Sequence, residues 1–388
     1  MSSFLGAAPG ALCRAASREY SNGMDPVTHT LVGASLAETR LGRWSAYAAP
    51  TLILGANAPD LDAVTMLIDR DLSLGFRRGW THGVLAIAVL PILLTGLICL
   101  LDRAVARWRG TAPRARPDRL LLLAYIAVAS HPLLDWLNTY GMRFLMPFDG
   151  RWFYGDALFI MDPLVWLLTG AAVVVAHSRS VAAVAGWLAL GGAMTLLLML
   201  VGNVPQGIWL LWLAGLTAIV AARARGVSPP RIRRVATVAL VVTGTYMLAM
   251  HGGSRLAARE VADWLAARGS AYEEIMAGPL PARPFARDIV VADADHYHFL
   301  ELNWLGTERI RVSSPALERV RGPAVEAALT APHVQGIRKW LRFPLYTVEE
   351  LPDGYRVTIR DVRYARRPGP TFPNSVVELD RNLRPRPR

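Results

Sequence analysis

The sequence predicts an α-helical polytopic membrane protein of six to eight transmembrane helices, followed by a C-terminal α+β, mainly antiparallel β, soluble domain. Three observations carry this. The 388 residues are 53% hydrophobic and 19% charged, with mean hydropathy +0.29, against about 25% charged residues in average soluble domains. The apolar excess lies before residue 252, in blocks close to the roughly 17–25 residues that a bilayer crossing takes: 85–101, 120–137, 164–176, 181–201, 208–222 and 235–250. Finally, the basic residues are Arg except for Lys339, and they cluster in two short loops between such blocks. One loop holds Arg103, Arg107, Arg109, Arg114, Arg116 and Arg119; the other holds Arg223, Arg225, Arg231, Arg233 and Arg234. The net charge of +12 is therefore read as the positive-inside bias of cytoplasmic loops and affinity for anionic headgroups, and no specific nucleic-acid partner is expected.

Residues 1–23 read as an N-terminal extension. They carry Arg14 and Arg18 but no apolar core of signal-peptide length, and Met24 is an alternative start. The membrane domain spans 24–252. Its first two segments, 27–41 and 45–58, are short and partly polar, with Arg40 and Arg43 in the turn between them. They are short spanning helices or a re-entrant hairpin, which is tolerated at membrane depth only under protein or water cover; they make the difference between six and eight. With both Arg loops placed in the cytoplasm, the blocks alternate so that 140–156 and the C-terminal domain lie outside. The chain is thus expected as a multi-pass protein of a bacterial-type inner (plasma) membrane, with domain 253–380 extracytoplasmic. That domain opens with an amphipathic stretch, 255–277, and a Pro-rich linker, 278–284. Strand-like runs follow at 288–292, 297–305, 345–349 and 355–361, the last two joined by the turn signal Asp353-Gly354. The tail 381–388, with Pro385 and Pro387, is expected to be disordered.

Cys13 and Cys99 are the only cysteines, which excludes a disulfide framework or a thiolate zinc site. A metal would be held by His and carboxylate. Four motifs put such groups at membrane helix ends: Thr28-His29-Thr30, Asn57-Ala58-Pro59-Asp60-Leu61-Asp62, Arg77-Arg78-Gly79-Trp80-Thr81-His82-Gly83, and Ser130-His131 through Asp135 to Asn138 and Gly141. Ionisable groups at membrane segments cost several kcal/mol unless paired and point to function by default. His131 and Asp135 are i and i+4, so on a helix they share a face. The topology drawn from the Arg loops alone puts His29, Asp60, His82, His131 and Asp135 at the same, outer, helix ends. Three imidazoles and two carboxylates at one level make a site for zinc, manganese, iron or nickel. Taken singly, each residue has a plainer reading: His29 as a helix cap, Asp60 and Asp62 as a turn after Pro59, Asp135 as the ion-pair partner of Arg78. His177 and His251 read as interfacial. His296 and His298, after Asp293 and Asp295, read as a solvated strand face rather than a second metal site.

Taken together, the motifs resemble the YdjM-like family of membrane-bound metal-dependent hydrolases, whose members carry an N-terminal His, a Pro-Asp-Ile/Leu-Asp motif, a His-Arg-Gly-x-Thr-His motif, and Ser-His-x-x-x-Asp followed by Asn/Thr and Gly. The matching residues are His29, Pro59 to Asp62, Arg78 to His82, and Ser130-His131 through Asp135 with Asn138 and Gly141; Pro147-Phe148 and Trp152 also fit. The similarity covers 24–166. It departs at Arg77, where many members have His.

The resemblance implies hydrolase activity. His29, Asp60, His82, His131 and Asp135 are expected to bind one or two divalent metals, zinc foremost with manganese or iron as alternatives. Asp62 is expected as bridge, supporting residue or general base, Asp156 as an alternative base, and Arg78 as stabiliser of an anionic transition state. The location at the bilayer surface suggests a membrane lipid or lipid-linked phosphoester as substrate. The competing reading is a membrane scaffold or transporter whose cluster is a structural metal site or an ion path.

Overall fold

A computed structural model describes residues 26–201, 204–364 and 373–387; the predicted N-terminal extension lies outside them. The membrane part is helical: α1 (Pro26–Ala37), α2 (Ala48–Asn57), a ten-residue 3₁₀ helix (Ala58–Leu67), α3 (Arg70–Phe76), α4 (Val84–Arg109), α5 (Pro117–Trp136), α6 (Pro163–His177), α7 (Val181–Val201), α8 (Gln206–Arg225) and α9 (Pro229–Ala266). Four of these, α4, α7, α8 and α9, are long and apolar enough to cross a membrane. The other predicted blocks differ for identifiable reasons. With 15 residues, α6 rises about 22 Å, short of a roughly 30 Å hydrocarbon core. Helix α5 spends part of its length on His131, Pro132 and Asp135. It can do so because it is the centre of the bundle: Leu120, Leu123, Ala124, Ala127 and Val128 are fully buried, packed by α2 and α4.

The short helices α1 and α2 pack against each other and, through α2, against α5. Small residues allow it. A Cβ on Gly33 would lie 2.7 Å from the Leu52 carbonyl oxygen, and one on Gly55 2.8 Å from the Ala127 methyl; close backbone approach of this kind is what holds membrane helices together. At the other end of the bundle, the carboxylate of Asp102 accepts from Tyr47 Oη and from the amides of Arg114 and Ala115, which ties down the Arg-rich loop after α4.

Helix α9 does not end at residue 252. It runs on for 14 residues, to Ala266, because 254, 257, 261 and 265 continue its buried stripe against the sheet that follows. The segment predicted as helical up to 277 is therefore shorter, and Glu274–Pro279 is strand β1. Strands β2 (Ala286–Ala292), β3 (His296–Asn303) and β4 (Ile310–Glu318) complete an antiparallel sheet of order β1-β2-β3-β4. After two short helices, α10 (Pro323–Ala328) and α11 (Gln335–Trp340), strands β5 (Pro344–Leu351), β6 (Gly354–Asp361) and β7 (Asn374–Asp380) form a second antiparallel sheet. Leu351 pairs with Gly354, so the two-residue loop is Pro352-Asp353, one position before the expected turn. The tail expected to be disordered instead returns along β7: the Arg386 amide donates to Glu378 O, Leu379 bridges Pro385, and Arg386 Nη2 donates to Asp353 O.

The C-terminal domain docks on one end of the bundle. Asp71 in α3 accepts from the amides of Gly336 and Ile337 at 2.7 and 2.8 Å, capping α11. Trp340 packs on Tyr140, and Leu74 of α3 joins the same core as α10, α11 and the second sheet. Arg363 donates to the carbonyls of Thr139 and Tyr140.

Candidate metal centre

At that same end, Asp60, His82, His131 and Asp135 converge, with one donor atom from each inside a 4.8 Å group. The elements explain how. His131 and Asp135 stand one turn apart in the buried face of α5. His82 ends the turn that leads into α4. Asp60 sits in the first turn of the 3₁₀ helix, where Pro59 supplies a fixed φ. His82 Nε2 and His131 Nε2 are 3.2 Å apart. Each is 3.4 Å from Asp135 Oδ2, and Asp60 Oδ1 lies 3.9 and 3.7 Å from them.

The protons of both rings are committed elsewhere. His131 Nδ1 donates to the Ala56 carbonyl at 2.7 Å. His82 Nδ1 faces Thr81 Oγ1 at 2.9 Å and Asp62 Oδ2 at 3.2 Å; Thr81 donates its own proton to Asp62, which leaves the Thr81 oxygen and the carboxylate as acceptors. This network assigns an unprotonated Nε2 to each neutral ring. With both rings neutral, two nitrogen lone pairs and two carboxylate oxygens face one another, while Arg77 and Arg78 pair with Asp60 and Asp135 from behind. Bonds of about 2.0–2.2 Å in a tetrahedral zinc site place neighbouring donors about 3.3–3.6 Å apart, close to the 3.2–3.9 Å found for these pairs. The donor set fits a divalent metal ion.

His29 lies against this group rather than in it. Its ring stacks on His131 with centroids 3.6 Å apart, and its Nε2 is 3.4 Å from Asp135 Oδ1. It is fully buried, and neither ring nitrogen makes a hydrogen bond; such groups are uncommon and call for a partner.

Arg78 and Asp62 stand behind the group. Arg78 donates to Asp135 Oδ1 at 2.8 Å, to Asn138 Oδ1 at 2.8 Å and to the carbonyls of Asp135 and Gly141, with its guanidinium 4.5 Å from the Tyr140 ring centroid. This is the ion pair foreseen as the plainer reading of Asp135. It is also compatible with ligation, because Arg78 takes Oδ1 and leaves Oδ2 to the group. With its donors so engaged and 1% exposed, Arg78 does not reach an incoming anion. Asp62 accepts from the Arg78 amide, Arg77 Nε and Thr81, besides facing His82. Carboxylate–histidine pairs of this kind orient metal ligands; a carboxylate so occupied is not a general base.

Asp156 is not at the site. Both its oxygens accept from Arg342 Nη1, at 3.0 and 2.9 Å, and it joins the C-terminal domain to the loop after α5. The expectation of a catalytic base there fails because a neighbouring guanidinium, 186 positions away in sequence, claims the carboxylate. Two residues went unassigned at the sequence level. Arg77 is buried, with Nη2 3.5 Å from Asp60 Oδ1 and Nε 3.4 Å from Asp62 Oδ1; its signal was the departure from His. Arg143 Nη2 donates to three carbonyls at the end of α3, those of Gly75, Phe76 and Arg77, and so holds the backbone on which Arg78 and His82 follow; nothing in the sequence pointed to it.

Comparison with known proteins agrees with this domain. The family described as YdjM inner membrane protein matches residues 24–206. The uncharacterized protein YfhP of Bacillus subtilis (strain 168) is 26% identical over 160 residues, 39% of this chain and 46% of YfhP, so the chain spans about half the length of that relative. No solved structure matches. The matched region, residues 24–206, is similar to the YdjM inner membrane protein family and contains His29, Asp60, His82, His131 and Asp135.

Proposed function

We propose that this protein is a membrane-bound, metal-dependent hydrolase acting on a lipid or lipid-linked ester, a phosphoester foremost, at the membrane–water interface. The observation that carries the reading is the convergence of two imidazoles and two carboxylates, one ligand atom from each within 4.8 Å of the others. Asp60 is the exposed edge, with 17% of its side chain accessible against 0–2% for His82, His131 and Asp135. Asp60, His82, His131 and Asp135 would hold the ion, zinc first and manganese or iron next, with His29 supporting Asp135. A bound divalent ion supplies Lewis acidity toward an ester oxygen and acidifies water near neutral pH.

The chain's own groups do the rest. Asp62 and the Ala56 carbonyl keep the lone pairs of His82 and His131 turned inward, and Arg78 fixes which oxygen of Asp135 faces the site. Asp60 Oδ1 faces the group, and its partly exposed carboxylate is the one placed to accept a proton from the attacking water. Arg77, between Asp60 and Asp62, holds the two carboxylates in place.

The direction of the helices supports an extracytoplasmic site in a bacterial-type inner membrane. Helix α4 begins next to His82 and ends at Arg107 and Arg109; α8 ends at Arg223 and Arg225, and α9 starts just after. Both Arg loops thus lie at the far end of the bundle from the site, where the positive-inside bias puts the cytoplasm.

The test is elemental analysis of the full chain in lipid nanodiscs, wild type beside His82→Ala and His131→Ala, followed by hydrolysis assays on lipid phosphoesters with and without a chelator. Near-stoichiometric metal in wild type, lost in both variants, with chelator-sensitive hydrolysis, is the expected result. Wild type that stays metal-free after incubation with zinc, manganese and iron would falsify the reading and return the cluster to a structural or ion-path role.

A further inference from the structure

The 3₁₀ helix Ala58–Leu67 has a second face that the metal centre does not use. A 3₁₀ helix has three residues per turn, so side chains at i and i+3 eclipse, and runs beyond three or four residues are uncommon; this one has ten. Its three stripes have three environments. Pro59, Asp62 and Thr65 are buried toward the site. Asp60, Ala63 and Met66 are half-buried along the edge where the group is open. Leu61, Val64 and Leu67 point outward, 66%, 58% and 88% exposed, and Ile68 and Leu72 extend the uncovered apolar surface.

The C-terminal domain does not cover this stripe. It approaches from another side, where Asp71, Leu74 and Gly75 meet α11 and its core. On the flank of the site, α4 begins with Val84, Leu85 and Val89 exposed and continues as a membrane-length apolar helix. Trp80 and Phe148, both exposed, lie near the start of α4, the aromatic types found where membrane meets water. An amphipathic helical segment with one apolar face and one polar face lies in the interface with its apolar face in the acyl boundary.

We propose that the apolar stripe Leu61, Val64, Leu67 and Ile68 is immersed in the hydrocarbon edge of the bilayer, and that the site therefore receives its substrate from the lipid phase, past Leu61 and Asp60, with the tail of the substrate remaining among the lipids. The immersion stands on the exposed stripe alone; the substrate route rests on the hydrolase reading above.

The test uses the full chain in nanodiscs with Cys13→Ser and Cys99→Ala as background. Val64→Cys and Leu67→Cys each carry an environment-sensitive fluorophore, and Val312→Cys, on the exposed face of β4, serves as the aqueous control. Bound metal is measured in every sample. The expected result is blue-shifted emission at 64 and 67, loss of fluorescence with lipids nitroxide-labelled near the headgroup, and no loss with a water-soluble quencher, with the reverse at 312. Water-like emission at 64 and 67 overturns the proposal. So does blue-shifted emission that lipid nitroxides do not quench, which means that protein, such as a second copy of this chain, covers the stripe. These readouts stand whether or not the protein hydrolyses anything. Where hydrolysis is found, L61Q/V64Q/L67Q raises KM for a long-chain ester and leaves a short-chain, water-soluble ester unaffected; equal loss on both overturns the substrate route and leaves the immersion result in place.

Discussion

Two parts of this molecule bring His and Asp side chains together, and they do so in opposite ways. In the membrane part, His82, His131, Asp60 and Asp135 meet as acceptors, their ring protons directed outward to Ala56, Thr81 and Asp62. In the C-terminal domain, His298 Nε2 lies 2.6 Å from Asp293 Oδ2, while Asp293 Oδ1 accepts from the amides of Asp295 and His296. The second group closes a hairpin turn. Its carboxylate is saturated by the turn it makes, and its side chains are 30% and 44% exposed. Composition is nearly the same in both places. The difference is whether acceptor capacity is spent locally, as in the hairpin, or left over at a buried point, as in the membrane part, and only the latter leaves room for a cation.

The sharpest way to break this contrast is one metal-binding assay on both groups. His131→Ala is expected to abolish bound metal, whereas His298→Ala and Asp293→Ala leave it unchanged; loss in the hairpin variants would void the distinction. A step smaller, Arg78→Lys and Asp62→Asn keep the four ligands but disturb what orients them. Each should weaken metal binding about 10–100-fold, read by competition with a chromogenic chelator, and unaltered affinity would mean that the supporting layer does not tune the site. Asp71→Ala removes the cap that joins α3 to α11. It should cost about 1 kcal/mol, seen as faster hydrogen exchange in α11, with metal content intact.

The smallest effect concerns pH. Burial works against ionisation of Asp293, but His298 and the amides of Asp295 and His296 outweigh it and hold its carboxyl down to about 2. A carboxyl lowered on folding adds stability above its unfolded pKa, about 3.9, and loses it as pH falls through the folded value. Asp293→Asn should therefore loosen the hairpin at pH 7 by less than about 1 kcal/mol, since the pair is partly exposed. The difference from wild type in exchange protection at Asp295 and His296 should fade between pH ~4 and ~2. A difference that persists at the acid end would assign the effect to lost packing.

Much of the centre was legible beforehand because its signals are local. The i, i+4 spacing of His131 and Asp135, Pro59 before Asp60, and an Arg pair four to five residues ahead of His82 are short-range patterns with a physical meaning. Strands β2, β3, β5 and β6 were visible in runs of Val, Ile and aromatics. Strand β1 was not, because 274–277 continues the apolar spacing of the helix before it. The roles of Arg78, Asp62 and Asp156 were not legible either. Each is fixed by a partner 15 to 186 positions away, respectively Asp135, the Arg77–His82 turn and Arg342.

The sequence by itself determined that apolar helices precede a β-rich domain, and which residue types gather at one end of those helices. Hydropathy, charge asymmetry and helical period are properties of neighbouring residues, readable without knowing what they touch. Tertiary structure alone decided which carboxylate oxygen faces the group, which guanidinium stands behind it, and which face of the 3₁₀ helix is left without protein cover. Those outcomes depend on which distant group reaches a buried atom first, and a hydrogen bond has one geometry that satisfies it, whereas a chain has many sequences of contacts that could supply it.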